Sequence, residues 1–205
     1  MIKNDQPKDK IIDVARKLFA SRGFEATTTR MINKAAGISE GALYYHFPHG
    51  KQEILDTIVQ QGIESRVSLL TVSLTNSTTV TDIETQMMTL FDQLWQAFQS
   101  ETSYQSFIIT IRERMLLSDE QSHWLIDAIQ QIQARLSQAF QNIEKLALND
   151  SQAADNLAMI VMSIFQKVLY DELLIKNQRR LSADVRERVR QQIHFLLAPI
   201  QTTTN

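Results

Sequence analysis

The chain contains no cysteine, which excludes a disulfide framework, a zinc–cysteine site and a thiol nucleophile. Glycine and proline are scarce as well. The glycines are Gly23, Gly37, Gly41, Gly50 and Gly62, and the prolines are Pro7, Pro48 and Pro199. A β-rich domain takes turn punctuation roughly every 8–12 residues. Residues 63–198 hold neither residue type, so helix is the architecture they fit. Long apolar runs are missing too. A membrane helix takes roughly 18 such residues, and the apolar stretch FIITI at 107–111 is broken by Thr110 and then by Arg112. The opening MIKNDQPKDK has no apolar centre, so no secretory signal is expected, and a cytoplasmic location is.

What is present is an ordinary balance of 43% hydrophobic and 21% charged residues over 205 positions, enough for a real core. The charge is unevenly placed. Residues 1–51 carry nine Lys/Arg against five Asp/Glu, a net of +4, whereas residues 52–205 carry twelve against eighteen, a net of −6. A basic end on an acidic body points to a polyanionic partner for that end.

Apolar periodicity organises the chain. Ile11, Ile12, Ala15, Leu18 and Phe19 make one face of a helix over 8–21, with Pro7 suited to its start and Gly23 to its end. A second helix is expected over 29–36, with Thr28 as N-cap and Gly37 as stop. A third opens after Ser39, places Leu43 and Phe47 one turn apart, and ends at Pro48 and Gly50. Three short helices with a glycine turn between the last two have the sequence form of a helix-turn-helix, although such spacing also occurs in proteins that never meet DNA. Further helices are expected over 52–70, 82–98, 103–116, 120–147, 152–176 and 182–197, with loops at 75–79 and 148–151.

The segment GFEATTTRMINKAAGISEGALYYHFPHGKQEIL, residues 23–55, closely resembles the DNA-binding segment of the TetR family of bacterial transcriptional regulators. The matching residues are Gly23, Phe24, Thr27, Thr28, Ile32, Ala36, Gly37, Ile38, Ser39, Gly41, Leu43, Tyr44, His46, Phe47, Lys51 and Leu55. One departure is Pro48-His49-Gly50 before Lys51, a spacer one residue longer than the commonest form. The resemblance implies an all-α fold of about nine helices: an N-terminal three-helix helix-turn-helix domain, residues 1–51, and a larger helical effector-binding and dimerisation domain, residues 52–205.

Each residue of the motif has a physical reading. A side-chain-free Gly41 permits close approach to a groove floor, or tight helix packing. Tyr44 and Tyr45 differ by about 100° around the helix and so face different targets. The resemblance gives Tyr44 a base or groove contact, and Tyr45 and His46 phosphate contacts. Thr28 and Thr29 begin a helix whose free N–H groups favour phosphate, or they serve as caps alone. Lys51 is expected to neutralise a phosphate. Ser39 and Glu40 sit at the groove end; Glu40 either accepts from a cytosine amino group or complements the helix N-terminus. Short Ala42 clears a base edge or a thymine methyl.

The remaining expectations concern the body. One small reader has few base contacts, and a two-fold dimer supplies a second. Leu157, Ile160, Ile164 and Val168, with Val185, Val189, Ile193 and Leu196, are the interface candidates, in keeping with the family's four-helix dimer bundle. Phe91, Trp95, Phe98, Tyr104, Phe107, Ile111, Trp124, Met159, Met162 and Phe165 are candidates to line a pocket for a small apolar or aromatic effector, against the plainer reading of core packing. Arg112, Glu113 and Arg114 read as a solvated face, with an inward cation for a carboxylate ligand as the alternative. No catalytic motif, cofactor or metal site is expected. The function expected is a DNA-binding regulator, a repressor that binds a palindromic operator as a homodimer and is released by an effector. The rival is a TetR-like DNA-binding protein controlled by a protein partner or without any small ligand.

Overall fold

The computed structural model describes residues 7–68, 80–117, 119–143, 148 and 150–198, without the side chains of Val67, Val80, Glu120, Gln121, Ser122, Trp124 and Leu125. The expected loop at 75–79 falls outside these residues, as does the stretch 144–147. Among the described residues there are nine α-helices and no strand: α1 (Pro7–Arg22), α2 (Thr29–Ala36), α3 (Glu40–His46), α4 (Lys51–Ser68), α5 (Val80–Gln96), α6 (Glu101–Arg112), α7 (Asp119–Gln141), α8 (Ser151–Leu169) and α9 (Ala183–Leu197).

Local chemistry sets the boundaries. Side chains of Thr28, Ser39, Ser100, Asp150 and Ser182 each accept the N–H three residues on, which caps α2, α3, α6, α8 and α9. The sixth helix therefore starts and ends earlier than its apolar spacing suggests, and a 3-10 turn, Arg114–Leu116, follows it. The eighth loosens at its C-terminal end into a π-helical turn, Tyr170–Ile175, closed by Asn177 in the left-handed region at φ 52°.

The chain forms two compact units. The first holds α1 to α4, α6 and the start of α7. Its core includes Ile11, Ala15 and Phe19 of α1, Ile32 and Ala36 of α2, Leu43 and Phe47, and Ile54, Leu55, Ile58 and Val59 of α4, all fully buried. Within it α4 runs close to α6: a Cβ on Gly62 would lie 2.8 Å from Ser106 Cβ, nearer than packed side chains come. Arg66, one turn further along α4, is buried beside the Phe107 ring and donates to the Ser103 carbonyl at 3.3 Å. Burial pushes its guanidinium down to about 10.

The second unit holds α5, the rest of α7, α8 and α9. Phe91, Phe165, Phe140 and Ile83 are wholly buried in it, and the Phe91 and Phe165 rings meet at 5.2 Å. Helices α5 and α9 are tied by a bidentate Arg186–Asp92 pair at 2.8 and 3.0 Å, and by His194 against Glu84 at 2.5 Å. Trp95 Nε1 donates to the Arg179 carbonyl at 3.2 Å, which fixes the segment leading into α9.

Burial sorts the expected interface residues. Leu157, Val185, Val189 and Ile193 are covered within the chain and belong to this unit's own core. The reason is helical phase: the stripe Leu157, Ala158, Val161, Phe165 of α8 and the stripe Val185, Val189, Ile193 of α9 both point inward. Ile160 is exposed, and Ile164, Val168 and Leu196 are half-buried. The expected pocket residues divide likewise. Phe91, Trp95, Phe98, Met162 and Phe165 are buried in the second unit. Tyr104 and Phe107 are half-buried in the first. Ile111 and Met159 are exposed, because each sits off the buried stripe of its helix, and the Trp124 side chain lies outside the described residues.

Candidate nucleic-acid interface

The head is built from caps and glycines at positive φ. Gly37 adopts φ 67°, ψ 39°, and its N–H and that of Ile38 both return to the Asn33 carbonyl. That turn stops α2 and delivers Ser39, whose hydroxyl accepts from Ala42 N at 3.2 Å and starts α3. Thr28 does the same for α2, accepting from Met31 N at 3.2 Å. Both threonine and serine therefore act as caps, and each hydroxyl still has a proton to donate outward.

Helix α3 is two-faced. Leu43 and Phe47 are fully buried, with Lys8 Nζ 5.5 Å from the Phe47 ring centre. The opposite side presents Glu40, Gly41, Tyr44 and Tyr45, all exposed, and the half-buried Ala42 and His46. A Cβ built on Gly41 meets nothing within 4 Å. Tight packing inside the chain therefore does not explain this glycine. Tyr45 is 80% exposed, and its ring packs edge-on to His46 at 5.1 Å. Tyr44 is less free. Gly50, at φ 63°, lies beneath it, so near that a Cβ there would sit 3.2 Å from Tyr44 Cε1. A floor of bare backbone holds the Tyr44 ring while leaving it 43% exposed.

The long spacer after α3 is absorbed in a turn. Gly50 N donates to the Phe47 carbonyl at 2.8 Å, and His49 N donates to Glu53 Oε2 at 3.0 Å, which ties the spacer to the first turn of α4. Glu53 and Gly50 are thus supports that the motif did not single out; Glu two residues past Lys51, in the first turn of a helix, was the signal for the first of them. Lys51, expected to neutralise a phosphate, also has partners within the chain. Its Nζ donates to the Phe24 carbonyl at 2.9 Å and lies 4.1 Å over the Phe24 ring. It remains half-buried rather than sealed, and its charge stays at the start of α4. Arg30 and Lys34 of α2 add exposed cations to the same head.

Residues 11–58 match the family described as bacterial regulatory proteins, tetR family. The transcriptional repressor KstR2 of Rhodococcus jostii is 45% identical over 53 residues, 26% of this chain and 26% of that protein. The transcriptional regulator QacR of Staphylococcus aureus is 55% identical over 40 residues, 20% of this chain and 21% of that protein. The chain thus covers about a quarter, 26% in the case of KstR2, of the length of such curated relatives. The solved structure of PfmR, a TetR-family transcriptional regulator from Thermus thermophilus, superposes with a TM-score of 0.66 at 20% identity, covering 93% of this chain and 98% of that one. At that identity the likeness concerns the fold. The chain is thus similar in sequence to bacterial regulatory proteins of the tetR family over residues 11–58, and its helical fold is like that of PfmR along nearly the whole chain.

Proposed function

We propose that the chain is a DNA-binding transcriptional regulator, a repressor that works in the cytoplasm as a homodimer on a two-fold symmetric operator and is released by a small apolar or aromatic effector. The observation that carries the reading is the outward face of α3. A glycine with no packing reason, two exposed tyrosines and a half-exposed histidine stand on the side opposite a fully buried Leu43 and Phe47. A helix held rigidly by its core side and bare on the other is suited to a major groove. Tyr44 makes the base or groove contact, Gly41 lets the backbone approach the groove floor, and Ala42 clears a base edge or a thymine methyl. Thr28, Thr29, Tyr45, His46 and Lys51 hold phosphates, Ser39 sits at the groove end, and Glu40 complements the helix N-terminus.

A second reader comes from a second copy. Ile160 and, in part, Ile164 and Val168 of α8 and Leu196 of α9 are the apolar residues of the expected interface set that their own chain leaves exposed or half-covered, and the first three line a groove of about 460 Å³ with Arg188 and Gln192. The effector reading is supported by the aromatic content of the interior, where Phe91 lies 6.3 Å from Trp95 and 5.2 Å from Phe165.

The test is binding to duplex DNA selected from a random library. Tyr44→Ala is expected to lose specific affinity by about 1–3 kcal/mol. Lys51→Ala is expected to weaken binding to all sequences and to lower the salt slope by about one. Wild-type binding by both variants removes the site assignment. A compound screen then decides the control: failure of every compound to release DNA favours the protein-partner or ligandless alternative.

A further inference from the structure

Phe24 is held from both of its backbone ends. Its N–H donates to Glu113 Oε1 at 3.1 Å, and its carbonyl accepts from Lys51 Nζ at 2.9 Å and from Thr27 N at 3.1 Å. Glu113 is buried, and its same Oε1 also accepts from Arg112 Nε at 2.9 Å. Arg112 in turn reaches α1: Nη1 donates to the Ala20 carbonyl at 3.1 Å, and Nη2 donates to the Phe19 carbonyl. Both carbonyls lie in the last turn of α1; that of Phe19 also accepts from Gly23 N at 2.9 Å, so Arg112 is a second donor there, and its cation meets the negative end of the helix dipole. The sequence alone read Arg112 and Glu113 as a solvated face; a separation of 89 to 93 residues from their partners hid the contact.

An isolated surface ion pair of this kind would contribute little. This one differs in what it grips. Its acceptors and donor are main-chain groups of the junction that joins three elements. Phe19 and Ala20 end α1, Phe24 precedes the Thr28 cap of α2 by four residues, and Lys51 is the first residue of α4. The Thr27 hydroxyl closes the same turn on the Gly23 carbonyl at 2.8 Å. The end of α6 is thereby fastened to the point from which α1, α2 and α4 diverge.

We propose that Arg112 and Glu113 are positioning residues for DNA reading: through the Phe24 junction they fix the angle at which α2 and α3 are presented, although neither lies on the reading face. The proposal rests on the DNA-binding reading given above. With the pair broken, the head stays folded on its own core but samples several attitudes. Contacts that need register fall away, while phosphate attraction, which tolerates many attitudes, persists.

The experiment uses the full chain and two duplexes of equal length, one selected by the wild-type chain from a random library and one scrambled. Arg112→Ala is expected to lose about tenfold or more in affinity for the selected duplex, within the range of ordinary coupling between sites. Its affinity for the scrambled duplex should stay within about twofold, as non-specific binding depends on phosphate charge. Glu113→Gln keeps an acceptor for Phe24 N–H but not the charge that holds Arg112, so its loss should be smaller and in the same direction. Faster amide exchange at Phe24 should accompany both. Arg114→Ala, on the neighbouring exposed residue, should bind as wild type does. If Arg112→Ala does not fold, the ratio measured for Glu113→Gln decides alone. Equal losses on both duplexes, in step with a fall in Tm, would reduce the pair to a structural role and overturn the proposal. If Tyr44→Ala loses the selected duplex while Arg112→Ala and Glu113→Gln keep it, positioning falls and DNA reading stands. If the wild-type chain selects no duplex, the DNA reading falls, and the proposal falls with it.

Discussion

Gly41 and Gly50 make opposite demands although both belong to the reading head. At Gly41 the helix has room for a methyl group, with nothing inside 4 Å of its Cβ position. Alanine is the better helix former there, by roughly 0.5–1 kcal/mol. Gly41→Ala is therefore expected to raise Tm slightly and to weaken operator binding, because the methyl stands where the groove floor must come. Thermal unfolding and a binding titration on one preparation check both halves, and unchanged binding would remove the groove-approach role. At Gly50 the backbone has φ 63° and Tyr44 lies 3.2 Å from the Cβ position. Alanine there meets left-handed strain and pushes on the ring, so Gly50→Ala is expected to lower stability by about 1 kcal/mol or more and to displace Tyr44 as well. Both stability and binding should fall, in contrast to Gly41→Ala. A glycine in a motif states only that a side chain is absent; the surroundings say whether function or packing is the cause.

Elements add a constraint that neither residue shows singly. Helices α4 and α6 approach where Gly62 faces Ser106, with 2.8 Å between the Ser106 Cβ and a Cβ placed on Gly62. Gly62→Ala is expected to force the helices apart at a cost of about 1–3 kcal/mol, despite alanine's better propensity. Ser106→Gly in the same chain should recover part of that loss. A double-mutant cycle by chemical denaturation measures the coupling, and additive effects would show that the helices do not meet there. This level also separates what was legible in the sequence from what was not. Caps at Thr28 and Ser39 and the stop at Gly37 are local grammar, readable because cap and helix are neighbours. The inner side of α3 was legible from Leu43 and Phe47 alone, and so, by elimination, was its outer side. The α4–α6 approach was not, since a mid-helix glycine has no period to betray its partner. Nor was the end of α7 at Gln141, since the apolar spacing runs on to Ile143 although the helix does not. The Arg112–Glu113 grip was hidden for the same reason as Gly62: charge near a helix end is usually solvated, and only the fold brings α1 to it.

At the scale of the whole molecule, the open question is what covers the outer side of α8 and α9. A single helix-turn-helix head contacts one half-site, and two-fold assembly sets two heads about 34–36 Å apart or a multiple of that. Apolar periodicity could not tell core from interface in the last two helices, because both are made of the same residues. Burial can. Val189 is 0% exposed in the chain by itself, whereas Ile164 is only half-covered and borders the groove with Ile160 and Val168. The two positions should therefore respond differently to one substitution. Val189→Arg places an unpaired charge in the core of the second unit, costs several kcal/mol and should leave little folded protein. Ile164→Arg leaves each chain's own packing largely intact and puts a cation on the apolar face that the proposed second copy would cover. The expected product is a helical, cooperatively unfolding monomer in sedimentation, with Tm lowered by the lost association and specific operator affinity lost along with the second reader. Non-specific affinity should fall less, since each head keeps its own phosphate contacts. A monodisperse Ile164→Arg dimer with wild-type operator binding would move the interface off this face, and folded, dimeric Val189→Arg would contradict the burial that separates the two residues.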